Sequence, residues 1–140
     1  MSIQFVLLPL FVQVILTFVV LYTLAGRRFS AVRSNALQGP VALREPNWPE
    51  PARQAEYNYQ NQFELPVLFY VLTILAIYTR HADLAFVLLS WVFVVLRIFH
   101  AGVHLTHNRL GQRGPFFIAG AIVLTIMWII FMVRILLGLP

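Results

Sequence analysis

Two groups of polar residues stand at helical spacing inside an otherwise apolar chain. Tyr57, Asn61, Glu64 and Leu68 recur at i, i+4, i+7 and i+11, so three polar side chains would line one helix face. Arg97, His100 and His104, followed by either His107 or Asn108, repeat the pattern further along. An ionisable side chain in a bilayer costs roughly 3 kcal/mol unless it is paired, so Glu64 is expected to face the interior of a bundle rather than lipid. The alternative is an interfacial glutamate that stays hydrated. A guanidinium does not lose its proton in a protein, so Arg97 needs an anion, and Glu64 at a comparable depth is the obvious candidate. Such a pair either serves a ligand or merely fixes the register of two helices. His100, His104 and His107 share one face and raise the question of a metal. The further histidine clusters that membrane metalloenzymes need are missing, with only His81 left on the opposite side, so no metal site is assigned.

The elements that carry these residues follow from composition. Of 140 residues, 60% are hydrophobic and 11% charged, outside the balance of a soluble domain. Every basic residue is an arginine, cysteine is absent, and the net charge of +5 is concentrated between the apolar runs. The absence of cysteine excludes disulfides, thiolate metal sites and a cysteine nucleophile. The placement of the charge reads as membrane topology and not as nucleic-acid binding.

The first apolar run, Ile3 to Ala25, is long enough to span a bilayer. A cleaved signal peptide would want basic residues ahead of this run, whereas Arg27 and Arg28 follow it. From Gly26 to Pro51 the chain reads as a polar loop, with Gly39-Pro40, Pro46, Pro49 and Pro51 expected to break any helix. The run from Phe63 to Tyr78 is too short for a ~30 Å core at ~1.5 Å per residue, so this helix is extended back over Tyr57 and Asn61. Glu64 then lies ~8 Å below the surface, and Pro66 is expected to kink the helix. After a tight connection at Thr79 to Asp83, a third run reaches Leu105 with Arg97 ~12 Å deep. A loop over 106–114 follows. Pro115 suits the first turn of a last helix ending near Leu137, with Arg134 snorkelling to water.

The predicted fold is therefore all-α: a single-domain four-helix transmembrane bundle of up-down topology, with helices near 3–25, 57–79, 84–105 and 115–137. Arg27, Arg28, Arg33, Arg44 and Arg53 lie in the first loop, and Arg109 and Arg113 in the third, against Arg80 alone in the middle connection. The positive-inside rule puts loops 26–56 and 106–114 in the cytosol and both termini across the membrane. The compact chain has no recognisable organelle retention signal and is assigned to a bacterial inner membrane.

These residues resemble a family, the membrane-associated proteins in eicosanoid and glutathione metabolism, or MAPEG, of bacterial type. Asn61-Gln62-Phe63-Glu64-Leu65-Pro66 looks like the family's Asn-x-x-Glu motif with a following proline, and Arg97-Ile98-Phe99-His100 looks like its Arg-x-x-His. Arg113 matches a further arginine beyond the third helix. The resemblance covers nearly the whole chain. It implies a homotrimer with glutathione held near the cytosolic face between subunits, by Asn61, Glu64, Arg97, His100, His104 and Arg113. Glutathione carries two carboxylates and an ammonium, which Arg97, Arg113 and Glu64 complement. Tyr57-Asn58-Tyr59 stands where glutathione-using members commonly have Arg-Ala-His, and Phe117 stands where several have a tyrosine. Arg113 would then activate the thiol alone, as the catalytic residue.

Three functions are in play. As an enzyme, a glutathione transferase or peroxidase-like protein, the chain would activate glutathione as a thiolate for attack on a lipophilic small molecule arriving from the membrane lipids. As a non-catalytic member, it would bind a lipid or anionic ligand in the same cleft. A small transporter using Glu64 as a proton or cation site is disfavoured, because Arg97 would keep Glu64 ionised.

Overall fold

In a computed structural model of the chain, residues 1–34, 48–106 and 110–140 are described here, the side chains of 110–113 excepted. Their regular structure is entirely helical: α1 spans Ile3–Arg33, α2 Glu50–Asn61, α3 Leu65–Tyr78, α4 Leu84–Leu105 and α5 Leu110–Leu136. Because α2 and α3 together form one span, four segments are long and apolar enough to cross a membrane: α1, Glu50–Tyr78, α4 and Gly114–Leu136. The chain is a four-helix, up-down integral membrane protein.

The core is small because most of the apolar surface points outward. Phe69, Leu72 and Ala76 of α3 pack on Phe86, Val87, Phe93 and Val94 of α4, with Val6 of α1 and Leu124 and Met127 of α5 closing the cluster. The Phe69 and Phe93 rings meet at 5.0 Å in a tilted arrangement. Phe5, Phe11, Ile15, Phe18, Ile122 and Ile129 are exposed. In water such an array would drive aggregation, whereas in a bilayer it faces hydrocarbon at little cost.

Three helix ends differ from the reading of the sequence. α1 does not stop at Ala25 but runs through Gly26 to Arg33, which at ~1.5 Å per residue makes it ~46 Å long, well beyond a ~30 Å core. The extension is held by side chains that the sequence alone assigned to topology. Arg27 Nη1 donates to the Pro51 carbonyl at 3.0 Å and Nη2 to the Leu105 carbonyl at 3.0 Å, supplying a donor that the end of α4 otherwise lacks. Arg28 pairs with Glu56 at 3.0 Å and lies 5.1 Å from the centre of the Trp48 ring. Second, α2 begins at Glu50, with Pro51 in its first turn. A proline there surrenders an N–H that has no intrahelical acceptor, so it starts this helix rather than breaking it. Third, α5 begins at Leu110, ahead of Pro115, which therefore lies inside the helix and removes one backbone bond.

The second span is interrupted instead of kinked. At its C-terminal end α2 tightens into i→i−3 bonds, Phe63 N–H to the Gln60 carbonyl at 3.0 Å and Glu64 N–H to the Asn61 carbonyl at 3.2 Å, before α3 starts at Leu65. Pro66 explains the break: it has no N–H for the Gln62 carbonyl and its ring would strike that carbonyl, whereas in the first turn of α3 it is tolerated, with Glu64 as the non-helical residue ahead of it.

The natural absence of cysteine makes the topology directly testable. Single cysteines at Ser34 and Thr106 are expected to react with a membrane-impermeant maleimide from one side, and cysteines at Arg80 and Leu139 from the other. Labelling of Thr106→Cys and Leu139→Cys from the same side would overturn the up-down order.

Candidate functional site

The interruption at 62–64 creates the site, because it frees polar groups within a membrane span and sets them against α4. Asn61 ends α2, and its side-chain oxygen accepts from Arg97 Nη2 in a close hydrogen bond, while its backbone carbonyl lies 3.5 Å from the same nitrogen. The Asn61 amide then donates to Glu64 Oε1 at 3.2 Å. Asn61 thus stands between the cation and the carboxylate. The expected direct ion pair is absent: no salt bridge joins Arg97 to Glu64 among the described residues. Glu64 is exposed on the single chain and does not face the bundle interior. The reason is the same break, since a continuous helix would have kept Tyr57, Asn61 and Glu64 on one stripe, whereas the turn swings Glu64 outward; Tyr57, upstream in α2, is exposed as well.

Arg97 itself is fully buried. Its Nε and Nη1 have no hydrogen-bond partner among the described residues, so a permanent cation is held in the bundle by one neutral amide residue. Leaving buried donors of a charged group unmade is costly, and the arrangement is chemically suited to receiving an anion.

His100 and His104 continue the same face of α4 and are both buried. Their rings lie 5.8 Å apart, and Phe117 of α5 lies 5.7 Å from His100 in a tilted contact. Arg97, Asn61 and Glu64 therefore gather where α2, α4 and the 62–64 turn meet, and His100 and His104 lie one and two turns further along α4, with His100 against Phe117 of α5. His107 lies outside the described residues, as does the side chain of Arg113. Among the described residues no three His, Asp or Glu side chains group closely enough to hold a metal ion.

A second set of residues, unread in the sequence, supports this one. Gln13 of α1 donates through Nε2 to Gln62 Oε1 at 2.9 Å; Gln62 Nε2 donates to Asn58 Oδ1 at 2.9 Å; Asn58 Nδ2 donates to the Ala101 carbonyl at 3.0 Å. All three side chains are buried. This chain of amides ties α1 through the end of α2 to α4, between His100 and His104. It fixes Gln62, the residue next to Asn61, and so the start of the non-helical turn. The available signal was Gln13, a lone amide in the middle of an apolar run: in hydrocarbon such a group needs a partner on another helix.

The Gln13–Gln62 link is measurable by a double-mutant cycle with Gln13→Leu and Gln62→Leu in detergent. Interhelical hydrogen bonds in membranes are worth about 0.6 kcal/mol on average and up to about 1.7 kcal/mol, and a coupling energy in that range is expected. A coupling of zero would mean that the two amides act independently.

The comparisons with known proteins bear on the whole of this architecture. No curated protein and no solved structure matches the chain. The MAPEG family matches residues 6–133, which takes in most or all of each transmembrane segment and every residue of the site described above. The Asn61 to Pro66 segment and the Arg97 to His100 segment fall within that match, as do the second and third spans and all but the outer ends of the first and fourth, and the chain belongs to the MAPEG family.

Proposed function

We propose that the chain binds glutathione, or an anion of similar chemistry, at the Asn61–Glu64–Arg97–His100 cluster and conjugates it to a lipophilic electrophile drawn from the bilayer. One observation carries the reading: the buried Arg97 guanidinium has two donors without partners among the described residues. A carboxylate would give either donor a charge-assisted acceptor, and because Nε and Nη1 lie on different edges of the guanidinium, the two together take two acceptor groups. The exposed Glu64 carboxylate complements an ammonium, so the two ends of an amino-acid-like ligand find opposite charges. Family membership supports a protein of the glutathione and eicosanoid kind. Arg97 is closed over by Asn61, and access for a ligand requires the 62–64 turn to shift.

In this proposal the functional unit is a homotrimer in a bacterial inner membrane, with the arginine-rich loops in the cytosol and the outward-facing Glu64 completed by a neighbouring subunit. Arg113 stabilises the glutathione thiolate. The sulfur lone pair forms a carbon–sulfur bond with the electrophilic carbon, the electron pair of the broken bond leaves with the departing group or collapses onto an activated double bond, and the thiol proton has already passed to solvent. A second reading, a non-catalytic member binding a lipid or anionic ligand in the same cleft, is favoured by Phe117, which carries no hydroxyl where its ring meets His100 in a tilted contact.

Calorimetric titration of the purified protein with glutathione tests the proposal. Arg97→Met is expected to weaken binding roughly ten- to a hundredfold, the value of a hydrogen bond to a charged group, while leaving the melting temperature unchanged or raised, because it removes an undercompensated buried charge. Phe117→Tyr is expected to increase thiolate absorbance of bound glutathione at neutral pH roughly tenfold, and Arg113→Leu to abolish it. Absence of glutathione binding would leave the non-catalytic reading, and a wild-type thiolate signal unaffected by Arg113→Leu would remove that residue from its role.

A further inference from the structure

We propose a second binding site at the opposite membrane face, between α4 and α5, for a membrane amphiphile with an ammonium headgroup that carries N–H donors. The cavity there measures about 320 Å³, at the lower end of the range for small-molecule sites. Its body is apolar, formed by Phe86 and Leu89 of α4 with Met127 and Phe131 of α5, and its mouth is polar, formed by Asp83 and Arg134. Asp83 immediately precedes α4, and Leu89 lies six residues on, or ~9 Å deeper. The cavity therefore runs from the headgroup level into the hydrocarbon, the profile of an amphiphile.

The mouth is built by two helix ends of the same design. Arg80 has φ 60° and Gly138 φ 66°, both left-handed. His81 N–H reaches the Ala76 carbonyl at 2.8 Å, and Leu139 N–H reaches the Arg134 carbonyl at 2.8 Å, so each helix closes with a 6→1 bond and turns its chain back over the cavity. The two turns are latched to each other, with a His81 ring nitrogen 2.9 Å from the Leu139 carbonyl. Arg80 adopts this conformation without the freedom of glycine, at a cost of about 1 kcal/mol or more, which the paired turns must offset.

Charge at the mouth selects the headgroup. Arg134 donates from Nε and Nη2 to the Pro140 carbonyl at 2.9 and 2.7 Å, and from Nη1 to the His81 carbonyl at 3.2 Å and Asp83 Oδ2 at 3.0 Å. With all three nitrogens engaged, the guanidinium offers little to an incoming phosphate. Asp83 is differently placed. Oδ1 accepts from Phe86 N–H at 3.0 Å and Oδ2 from Arg134, which leaves about half of the four acceptor positions of a carboxylate open on a side chain that is 49% exposed. The open position at the mouth is an acceptor, and the complementary headgroup is a donor. An ethanolamine phospholipid meets both demands, with its primary ammonium on Asp83 and one hydrocarbon chain in the cavity, while its phosphate stays in water beside the exposed Arg80 connection.

The test uses the full chain in bilayer discs holding equal amounts of phosphatidylethanolamine, phosphatidylcholine and phosphatidylglycerol, with retained lipid read by native mass spectrometry. The expected result is one phosphatidylethanolamine per chain, preferred roughly tenfold over phosphatidylcholine, whose quaternary nitrogen has no N–H to donate. Asp83→Asn should abolish the preference, and Leu89→Trp, which fills the cavity, should abolish retention. Should Asp83→Asn fail to fold, the wild-type headgroup ratio and Leu89→Trp decide the matter. Equal retention of the three lipids, preference for phosphatidylglycerol, or retention unaffected by Leu89→Trp would overturn the proposal. So would absence of lipid together with a change of oligomeric state in Leu89→Trp, which would make the cavity a contact between copies.

Discussion

A span that breaks within the membrane must repay every backbone and side-chain polar group it frees, because hydrocarbon offers none of the hydrogen bonds that water would. Here Pro66 forces the break, and much else in the structure answers it. The turn at 62–64 recovers part of the loss through shortened i→i−3 bonds. The Gln13–Gln62–Asn58 amides recover more by linking three helices through side chains that are wholly buried. Asn61 supplies the remainder, bonding both Arg97 and Glu64. Non-helical backbone at membrane depth survives where protein buries it, and functional groups collect where such backbone is found.

The two membrane faces solve different problems with similar residues. On the arginine-rich face, Arg27 and Arg28 act as structural cations, fastening the extended end of α1 to α2 and to the last carbonyls of α4. Arg97 differs in being fully buried with two donors, Nε and Nη1, that have no partner among the described residues, where Arg28 lacks one only at Nε. On the other face Arg134, placed by the sequence to reach for water, engages all three of its nitrogens with Asp83 and the backbone of two turns. Arg134 is held by acceptors of the fold itself, whereas Arg97 keeps two donors open among the described residues.

Much of the architecture was legible in the chain because a bilayer imposes a length on apolar segments and tolerates few charges within them. Those two constraints are one-dimensional, so four spans and their alternation could be read without knowing any contact. The Asn61 to Pro66 and Arg97 to His100 segments were legible for a related reason: an ionisable residue inside an apolar run is expensive and must have a use. Helix ends were less legible. Pro49 and Pro51 looked like breakers, although a proline in a first turn costs nothing, and only the acceptor geometry around Glu50 distinguishes the two cases.

Tertiary structure alone decided which polar groups meet. Glu64 and Arg97 lie at comparable depth by counting residues, yet depth says nothing of azimuth, and the turn before Pro66 rotates Glu64 outward while Asn61 takes the place beside the guanidinium. Gln13 and Gln62 are 49 residues apart and carry no mutual signal in the sequence. Their pairing depends on how α1 packs against the end of α2, a relation set by side-chain volumes across several helices together. The sequence by itself determined a four-span membrane protein with costly polar residues in its second and third spans, because hydrophobic length and charge are properties of the chain. Partners, burial and the unsatisfied donors of Arg97 are properties of the packed bundle, since hydrogen bonds depend on direction as well as distance and direction exists only after the helices have docked.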